Sequence, residues 1–171
     1  QHRGQESAGI VSFDGERFHN ERDLGLVGDI FGDPSVIARL KGSSAVGHVR
    51  YSTTGETIKR NIQPLFAELV TGGFAVGHNG NLTNGRTLRR QLVRQGSLFQ
   101  STTDTEVIIG LMAASKQTDV VDKLIDAVRQ VEGAYSLVAL TDKGVIGLRD
   151  PLGVRPLCLG RLADTWILTS E

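Results

Sequence analysis

Two short segments repeat the same four residues and then diverge into polar side chains. Residues 45–50 read Ala-Val-Gly-His-Val-Arg, and residues 75–80 read Ala-Val-Gly-His-Asn-Gly. Each segment places small and apolar residues along a predicted strand and a polar group where that strand is expected to end. Adjacent strand ends are a good place to bring hydrogen-bond donors onto a small ligand. The same pattern also fits two tight strand exits beside a β-bulge.

Asn79 and Gly80 carry the donor groups of an oxyanion hole. The Asn79 amide is a side-chain N–H donor, and glycine at position 80 lets its backbone N–H approach a substrate with no Cβ in the way. Asn-Gly is also the strongest hairpin dipeptide. Taken alone, this dipeptide favours a turn.

Arg50 and Asp104 carry the charges that would hold an amino acid. Arg50 precedes Tyr51 and the hydroxyl side chains of residues 52–54, which suits a forked grip on a carboxylate, with a surface salt bridge as the alternative. Asp104 is expected in the first turn of a helix, where it could hold an ammonium group or simply stabilise the helix. Together with the Asn79-Gly80 donors, these charges predict a site for glutamine or asparagine.

Turn and capping signals predict the elements that must position these groups. Hairpin turns are expected three times, at residues 14–15, 71–73 and 142–144. Helices are expected four times, from Asp33, from Thr83, from a capping box at residues 103–106 and from Asp119. The helix that Thr83 caps should turn its arginines, Arg89 among them, toward water. Because hairpins dominate, the pattern predicts an α+β fold of mostly antiparallel sheets covered by helices.

Composition excludes several classes of protein. The 171 residues carry 19 basic and 19 acidic side chains, so no net positive field favours nucleic acid or a membrane surface. The sequence shows neither an apolar membrane span nor a signal-peptide pattern, which predicts one cytoplasmic domain.

Its histidines lack metal-ligand spacing, so no metal site is predicted. Cys158, the single cysteine, lies in an apolar run that predicts a buried, inert thiol, and the attacking nucleophile is missing.

The same residues carry a family resemblance that extends over essentially the whole chain. Its motifs are residues 1–10, 47–53, 77–81, 101–106, 150–157 and 169–171. In this order they resemble the motifs of the class II glutamine amidotransferases. The resemblance implies the four-layer α-β-β-α sandwich of N-terminal nucleophile hydrolases and the hydrolysis of glutamine to glutamate and ammonia. Within the family it favours members that pass ammonia to phosphoribosyl pyrophosphate in a second domain, forming phosphoribosylamine in the first step of purine synthesis.

The resemblance also assigns roles to individual residues. Arg50 would bind the α-carboxylate of glutamine with Thr53 near it, and Asp104 would hold the α-ammonium group. The Asn79 side chain and the Gly80 N–H would stabilise the tetrahedral oxyanion. Two further residues would line the surroundings of the nucleophile, Arg3 and Tyr51.

The family's nucleophile is an N-terminal cysteine whose own α-amino group shuttles the proton. This sequence begins at Gln1, so we expect on the order of 20 further residues, forming the first strand and helix, before it. Residues 1–171 are thus interpreted as a glutaminase domain truncated at its N-terminus and inactive alone. No cofactor is expected in this domain. Mg²⁺ is expected in the missing phosphoribosyltransferase domain, an iron–sulfur cluster there stays open, and the full-length protein is expected to be a homo-oligomer.

Three other interpretations stay open. The chain could belong to a class II amidotransferase with a different acceptor, or it could be a non-catalytic module that binds L-glutamine and leaves it intact. It could also be a scaffold without a ligand, in which Asn79-Gly80 is only a turn.

Overall fold

Three antiparallel strands form the first sheet. The computed structural model describes residues 4–51 and 58–170. The strands are β1 (Ser7–Phe13), β2 (Phe18–Leu24) and β3 (Ser44–Arg50), in the order β2-β1-β3. The predicted turn between β1 and β2 is confirmed, because Asp14 Oδ1 accepts the N–H groups of Glu16 and Arg17 at 2.9 and 2.8 Å.

Four antiparallel strands form the second sheet. They are β4 (Leu65–Leu69), β5 (Gly72–Leu82), β6 (Gly133–Thr141) and β7 (Gly144–Arg149), paired in chain order. Strand β5 is longer than the sequence predicts and does not end at His78. Asn79 and Gly80 continue the ladder opposite Ser136 and Tyr135, so the interpretation of Asn79-Gly80 as a hairpin turn, or as a strand end, is wrong.

Strands β8 (Cys158–Leu162) and β9 (Thr165–Thr169) form a separate two-stranded sheet. Every residue of β8 is exposed, including Cys158, so the prediction of a buried thiol is wrong. An apolar run usually signals burial. Here it lies on a small sheet whose residues Leu159, Leu162 and Trp166 are each about two-thirds exposed.

Five α-helices accompany the sheets in the described residues: α1 (Val27–Phe31), α2 (Pro34–Arg39), α3 (Gly85–Arg94), α4 (Thr105–Ala114) and α5 (Val120–Val128). A short 3-10 helix spans Lys59–Asn61. Asp33 and Asp119 cap α2 and α5 as predicted, each accepting an N–H two residues later at 2.8 Å. The short helix α1 was not predicted, since Leu26 before it supplies no side-chain cap. Within residues 4–51 and 58–170, no helix is long and apolar enough to cross a membrane.

Two of the predicted helix starts are wrong. Thr83 does not cap α3, because its N–H donates to Glu132 O at 2.8 Å and the helix begins after Asn84. Residues 103–106 do not form a capping box either. Asp104 is the N-cap of α4, and the Glu106 carboxylate instead accepts the N–H groups of Gln100 and Ser101, both at 2.8 Å.

The elements stack in four layers. Val11 and Val46 of the first sheet pack against Ala75 and Leu140 of the second, which makes a small core between the sheets. Helices α1 and α2 lie against the first sheet, α1 beside β1 and β2 and α2 beside β2. Helices α3 to α5 cover the second sheet over a larger core whose fully buried members include Phe74, Ile108, Met112, Leu124 and Leu137. The predicted α+β fold and its α-β-β-α layering are confirmed.

Candidate functional site

A cavity of about 1380 Å³ brings together five of the predicted site residues. It is lined by the end of β3, by the last residues of β5 and by the segment leading into α4, with Arg50, Tyr51, Asn79, Gly80 and Asp104 among its walls. The other two, Arg3 and Thr53, lie outside the described residues. Groups far apart in the sequence therefore share one concave surface, which is the usual form of a small-molecule site.

The edge of β5 along this cavity carries the main backbone donors. Strand β4 pairs with β5 only from Gly72 to Val76, so among the described residues no strand pairs with that edge beyond this point. Side chains satisfy two of the edge donors: His78 N–H donates to Gln63 Oε1 at 2.7 Å, and Leu82 N–H donates to Asp104 Oδ2 at 2.8 Å. Because N–H groups alternate along a strand, the N–H of Gly80 points to the same edge, between these two.

Close packing against β6 restricts position 80 to glycine. A Cβ there would lie 2.1 Å from Ala134 O and 2.7 Å from Tyr135 Cα, and the φ of +150° is one that side chains rarely adopt. Asn79 precedes Gly80 in β5, so its N–H points to the other edge of the strand, toward β6. It lines a smaller pocket of about 110 Å³ between the sheets, together with His48 and Ser136. Both oxyanion donors of the prediction thus border the cavity from neighbouring positions on one strand.

Asp104 is held by one carboxylate oxygen. Oδ2 accepts the Leu82 N–H, whereas Oδ1 makes no hydrogen bond within the described part of the chain and lies 3.7 Å from His78 Nδ1. The side chain is 28% exposed and lines the cavity. A carboxylate fixed in this way retains acceptor capacity for an ammonium group.

Arg50 is the last residue of β3 and is 6% exposed, which argues against the alternative of a surface salt bridge. Its carbonyl accepts the N–H of Glu6 at 3.2 Å, so the strand end is fixed. Tyr51, the next residue, is 70% exposed and also lines the cavity. A buried guanidinium in a cavity wall suits a carboxylate ligand, because its planar fork matches the two oxygens.

Sequence reasoning missed a buried network behind the site. The Gln63 amide accepts from the His78 N–H and donates to Thr105 Oγ1 at 3.3 Å, and Thr105 Oγ1 lies 3.0 Å from His78 Nδ1. Burial lowers the pKa of His78, the Asp104 carboxylate raises it in part, and the Arg155 cation lowers it further. His78 is thus held behind Asp104 by Gln63 and Thr105, with its Nδ1 3.7 Å from Asp104 Oδ1. The available signals were the position of His78 beside Asn79-Gly80 and that of Thr105 within the motif at residues 101–106, while Gln63 carried none.

Arg89 does not face water as predicted. Its guanidinium donates to Ser101 O at 2.9 Å and to Thr103 O, and it lies 4.1 Å from the centre of the Phe99 ring. These contacts fix the segment that leads into Asp104. The sequence places Arg89 on a polar helix face, which predicts exposure to solvent. In the structure its guanidinium instead binds two backbone carbonyls that lie 12 and 14 residues later in the chain.

His48 is half-buried on β3, in surroundings that disfavour a charged imidazole. Burial, with smaller contributions from the charges of His78 and Arg50, lowers its pKa from 6.5 to about 4. Between these values the unfolded chain binds more protons than the folded one, so stability is complete above pH 6.5 and is lost as the pH falls toward 4. A shift of this size corresponds to about 3 kcal/mol.

We therefore expect the free energy of unfolding of the wild-type chain to fall as the pH is lowered from 6.5 to 4. In a His48→Gln variant this fall should be smaller by about 3 kcal/mol. Urea unfolding at a series of pH values measures it. The control is His19→Gln, which changes a histidine that pairs with Asp14 in the β1–β2 hairpin. A His48→Gln variant with the wild-type pH slope would contradict the assignment.

Comparison with known proteins agrees with this geometry. Residues 48–171 match the family model described as a glutamine amidotransferase domain. An amidophosphoribosyltransferase of Rhizobium etli is 57% identical over 171 residues, covering 100% of this chain and 34% of that protein. The enzyme of the same name from Archaeoglobus fulgidus is 44% identical over 173 residues, covering 100% of this chain and 37% of that protein.

A solved structure extends the agreement to the fold. The glutamine phosphoribosylpyrophosphate amidotransferase of B. subtilis, complexed with ADP and GMP, superposes with a TM-score of 0.92 at 39% identity, covering 100% of this chain and 37% of that one. The expected N-terminal nucleophile hydrolase fold is confirmed. The chain spans about a third of the length of the curated relatives it matches. From the family match, the fold and the cavity together, we conclude that the chain belongs to the glutamine amidotransferase domain family.

Proposed function

We propose that this chain is the glutamine-hydrolysing domain of an amidophosphoribosyltransferase, which supplies ammonia to phosphoribosyl pyrophosphate to form phosphoribosylamine in the first step of de novo purine synthesis. The observation that carries the proposal is one cavity lined by a buried Arg50, by the edge of β5 at Gly80 and by Asp104. The identity of 57% to an amidophosphoribosyltransferase over the whole chain supports the choice of acceptor.

The cavity residues fit glutamine at both ends. The Arg50 guanidinium would pair with the α-carboxylate, and Asp104 would accept from the α-ammonium group. The γ-carbonyl oxygen would then lie toward the Gly80 N–H and the Asn79 amide. Negative charge that develops on this oxygen during attack would be stabilised by these two donors, and the ladder to β6 fixes the backbone that carries them.

The attacking thiolate is proposed to come from an N-terminal cysteine outside these 171 residues. Cys158, the only cysteine of the sequence, is exposed on β8 and is not among the residues that line the cavity. The thiolate adds to the γ-carbonyl carbon, and the tetrahedral intermediate expels ammonia after the amide nitrogen takes a proton from the cysteine's α-amino group. Water then hydrolyses the thioester to glutamate and regenerates the thiol.

We expect the 171-residue chain alone to release no ammonia from glutamine, because it lacks this thiol. The measurement is ammonia release over hours against a protein-free blank, with the natural full-length protein as the positive control. Release above the blank by residues 1–171 would contradict the assignment of the nucleophile. Intact mass and N-terminal sequencing of the natural protein identify its first residue directly.

The acceptor is tested on the full-length protein. Glutamine and ammonium chloride should both support phosphoribosylamine formation, and replacing the N-terminal cysteine with alanine should abolish only the glutamine-dependent reaction. A protein that hydrolyses glutamine but aminates a different sugar phosphate would be another class II amidotransferase. One that binds glutamine and leaves it intact would be a binding module.

The remaining assignments follow from the same proposal. The partners are L-glutamine and a phosphoribosyltransferase domain of the same polypeptide, with Mg²⁺ bound in that second domain, and the full-length protein is proposed to be a homo-oligomer. A reducing compartment, the cytoplasm, suits a sequence with a single exposed cysteine.

A further inference from the structure

The loop between β7 and β8 is held by one buried carboxylate. Asp150 is 3% exposed, and each of its two oxygens accepts two backbone N–H groups. Oδ1 accepts from Leu152 and Val154, both at 3.1 Å, and Oδ2 accepts from Arg155 at 3.1 Å and from Tyr135 at 3.3 Å. Burial opposes the charge of this carboxylate, but the four donors outweigh it and lower the pKa of Asp150.

Asp150 also ties the loop to β6, the strand that pairs with β5, which carries the proposed oxyanion donors. Tyr135 lies directly opposite Gly80 in the β5–β6 ladder, and its carbonyl accepts the Asp150 N–H at 2.8 Å. The N–H groups of Tyr135 and Arg155 donate to the same oxygen, Asp150 Oδ2. The backbone of Arg155 therefore lies next to the Tyr135–Gly80 pair of the β5–β6 ladder. Arg149 fixes the far side of the loop by donating from Nε to Arg155 O at 2.6 Å.

The Arg155 side chain enters the glutamine cavity with no anion to pair with. It lines the cavity together with Asn79 and Gly80, and its charge reaches the neighbouring His78. Its Nε is buried without a hydrogen-bond partner in the described part of the chain, and no ion pair of this guanidinium occurs there. A buried guanidinium donor without a partner is costly unless a ligand supplies the acceptor.

We propose that Arg155 is an anion-binding residue at the γ end of the glutamine cavity and that Asp150 positions it. The inference rests on the proposed function, since it assigns one more contact to the same substrate. Arg155 would stabilise the charge on the γ-carbonyl oxygen as it develops and would hold the γ-carboxylate of the product glutamate. The α-carboxylate remains the partner of Arg50.

Two amino acids that differ only at the γ end provide the test. L-Glutamate carries a γ-carboxylate, whereas L-norvaline has the same α-amino and α-carboxylate groups and an apolar side chain. Calorimetry on the full-length protein should show that Arg155→Met weakens glutamate binding by about 10–100-fold, the range for a charged hydrogen bond, and leaves norvaline binding within twofold. Arg155→Lys should recover part of the glutamate affinity.

The control is Arg161→Met, which removes an arginine of β8 that lies against Trp166 outside the cavity. It should change neither affinity. Unchanged glutamate binding in Arg155→Met, or an equal loss for both ligands, would overturn the proposal. If the wild-type protein neither binds glutamate nor hydrolyses glutamine, the proposed function itself has failed. If it does both and Arg155→Met behaves like wild type, only the role of Arg155 has failed.

Asp150→Asn tests the positioning step. In either orientation of the amide, its NH₂ group would face two backbone donors, so the loop must shift. We expect the same selective loss of glutamate binding as in Arg155→Met, with no further loss when the two changes are combined. Additive losses, or a loss of norvaline binding as well, would show that Asp150 does not act through Arg155.

Discussion

Replacement of Gly80 with alanine in the full-length protein is expected to lower kcat for glutamine hydrolysis by about 10²–10³-fold, the usual effect of losing one oxyanion donor. The added Cβ would meet Ala134 O at 2.1 Å, so the strand must move away from β6. That movement displaces the N–H that points into the cavity between the His78 and Leu82 donors. KM should change less, because Arg50 and Asp104 still hold the α end.

Gly144→Ala is the matched control for this change. Gly144 also has a positive φ, +137°, but a Cβ there meets no atom within 4 Å, and the residue lies in the β6–β7 turn outside the cavity. The control should keep its kcat, and both variants should retain the reaction that uses ammonium chloride. A Gly80→Ala protein whose kcat stays within threefold of wild type would contradict the oxyanion role.

The elements that the sequence predicted correctly are those set by neighbouring residues. Asp14, Asp33 and Asp119 each accept an N–H two or three residues later, so the type and spacing of the residues were sufficient. Hairpins and apolar periodicity indicated antiparallel sheets covered by helices, whereas the four-layer order was implied by the family resemblance. Arg50, Asn79, Gly80 and Asp104 were predicted together because their side chains or backbone suit one ligand, and the structure places all four around one cavity.

The wrong predictions fall where distant residues decide the conformation. Asn79-Gly80 is a turn dipeptide by local preference, but nine rungs with β6 keep it in a strand. Asp104 was predicted as a site residue, but the contact that holds its carboxylate, with the N–H of Leu82 22 residues earlier, could not be predicted from the sequence. Gln63 gave no signal, because its role consists of contacts with His78 and Thr105, which lie 15 and 42 residues away along the chain. Asp150 lies in one of the family motifs, but its contact with Tyr135, 15 residues earlier, could not be predicted from the sequence.

Asp104→Asn is expected to raise KM for glutamine by about 10–100-fold, with a smaller effect on kcat. The asparagine carbonyl can still accept the Leu82 N–H, so the helix start is kept while the negative charge is lost. The lost charge is the partner proposed for the α-ammonium group. Steady-state kinetics of ammonia release from the full-length protein measure both constants.

A substrate without the α-amino group separates this role from a structural one. Wild-type protein should strongly prefer glutamine to 4-carbamoylbutanoate, which keeps the γ-amide and the carboxylate, whereas Asp104→Asn should lose most of that preference. Asp119→Asn is the matched control, because Asp119 is also a helix N-cap that accepts a backbone N–H at 2.8 Å, and it lies outside the cavity. If Asp104→Asn kept the wild-type preference while KM rose, Asp104 would support the β5 edge and the ammonium group would be bound elsewhere.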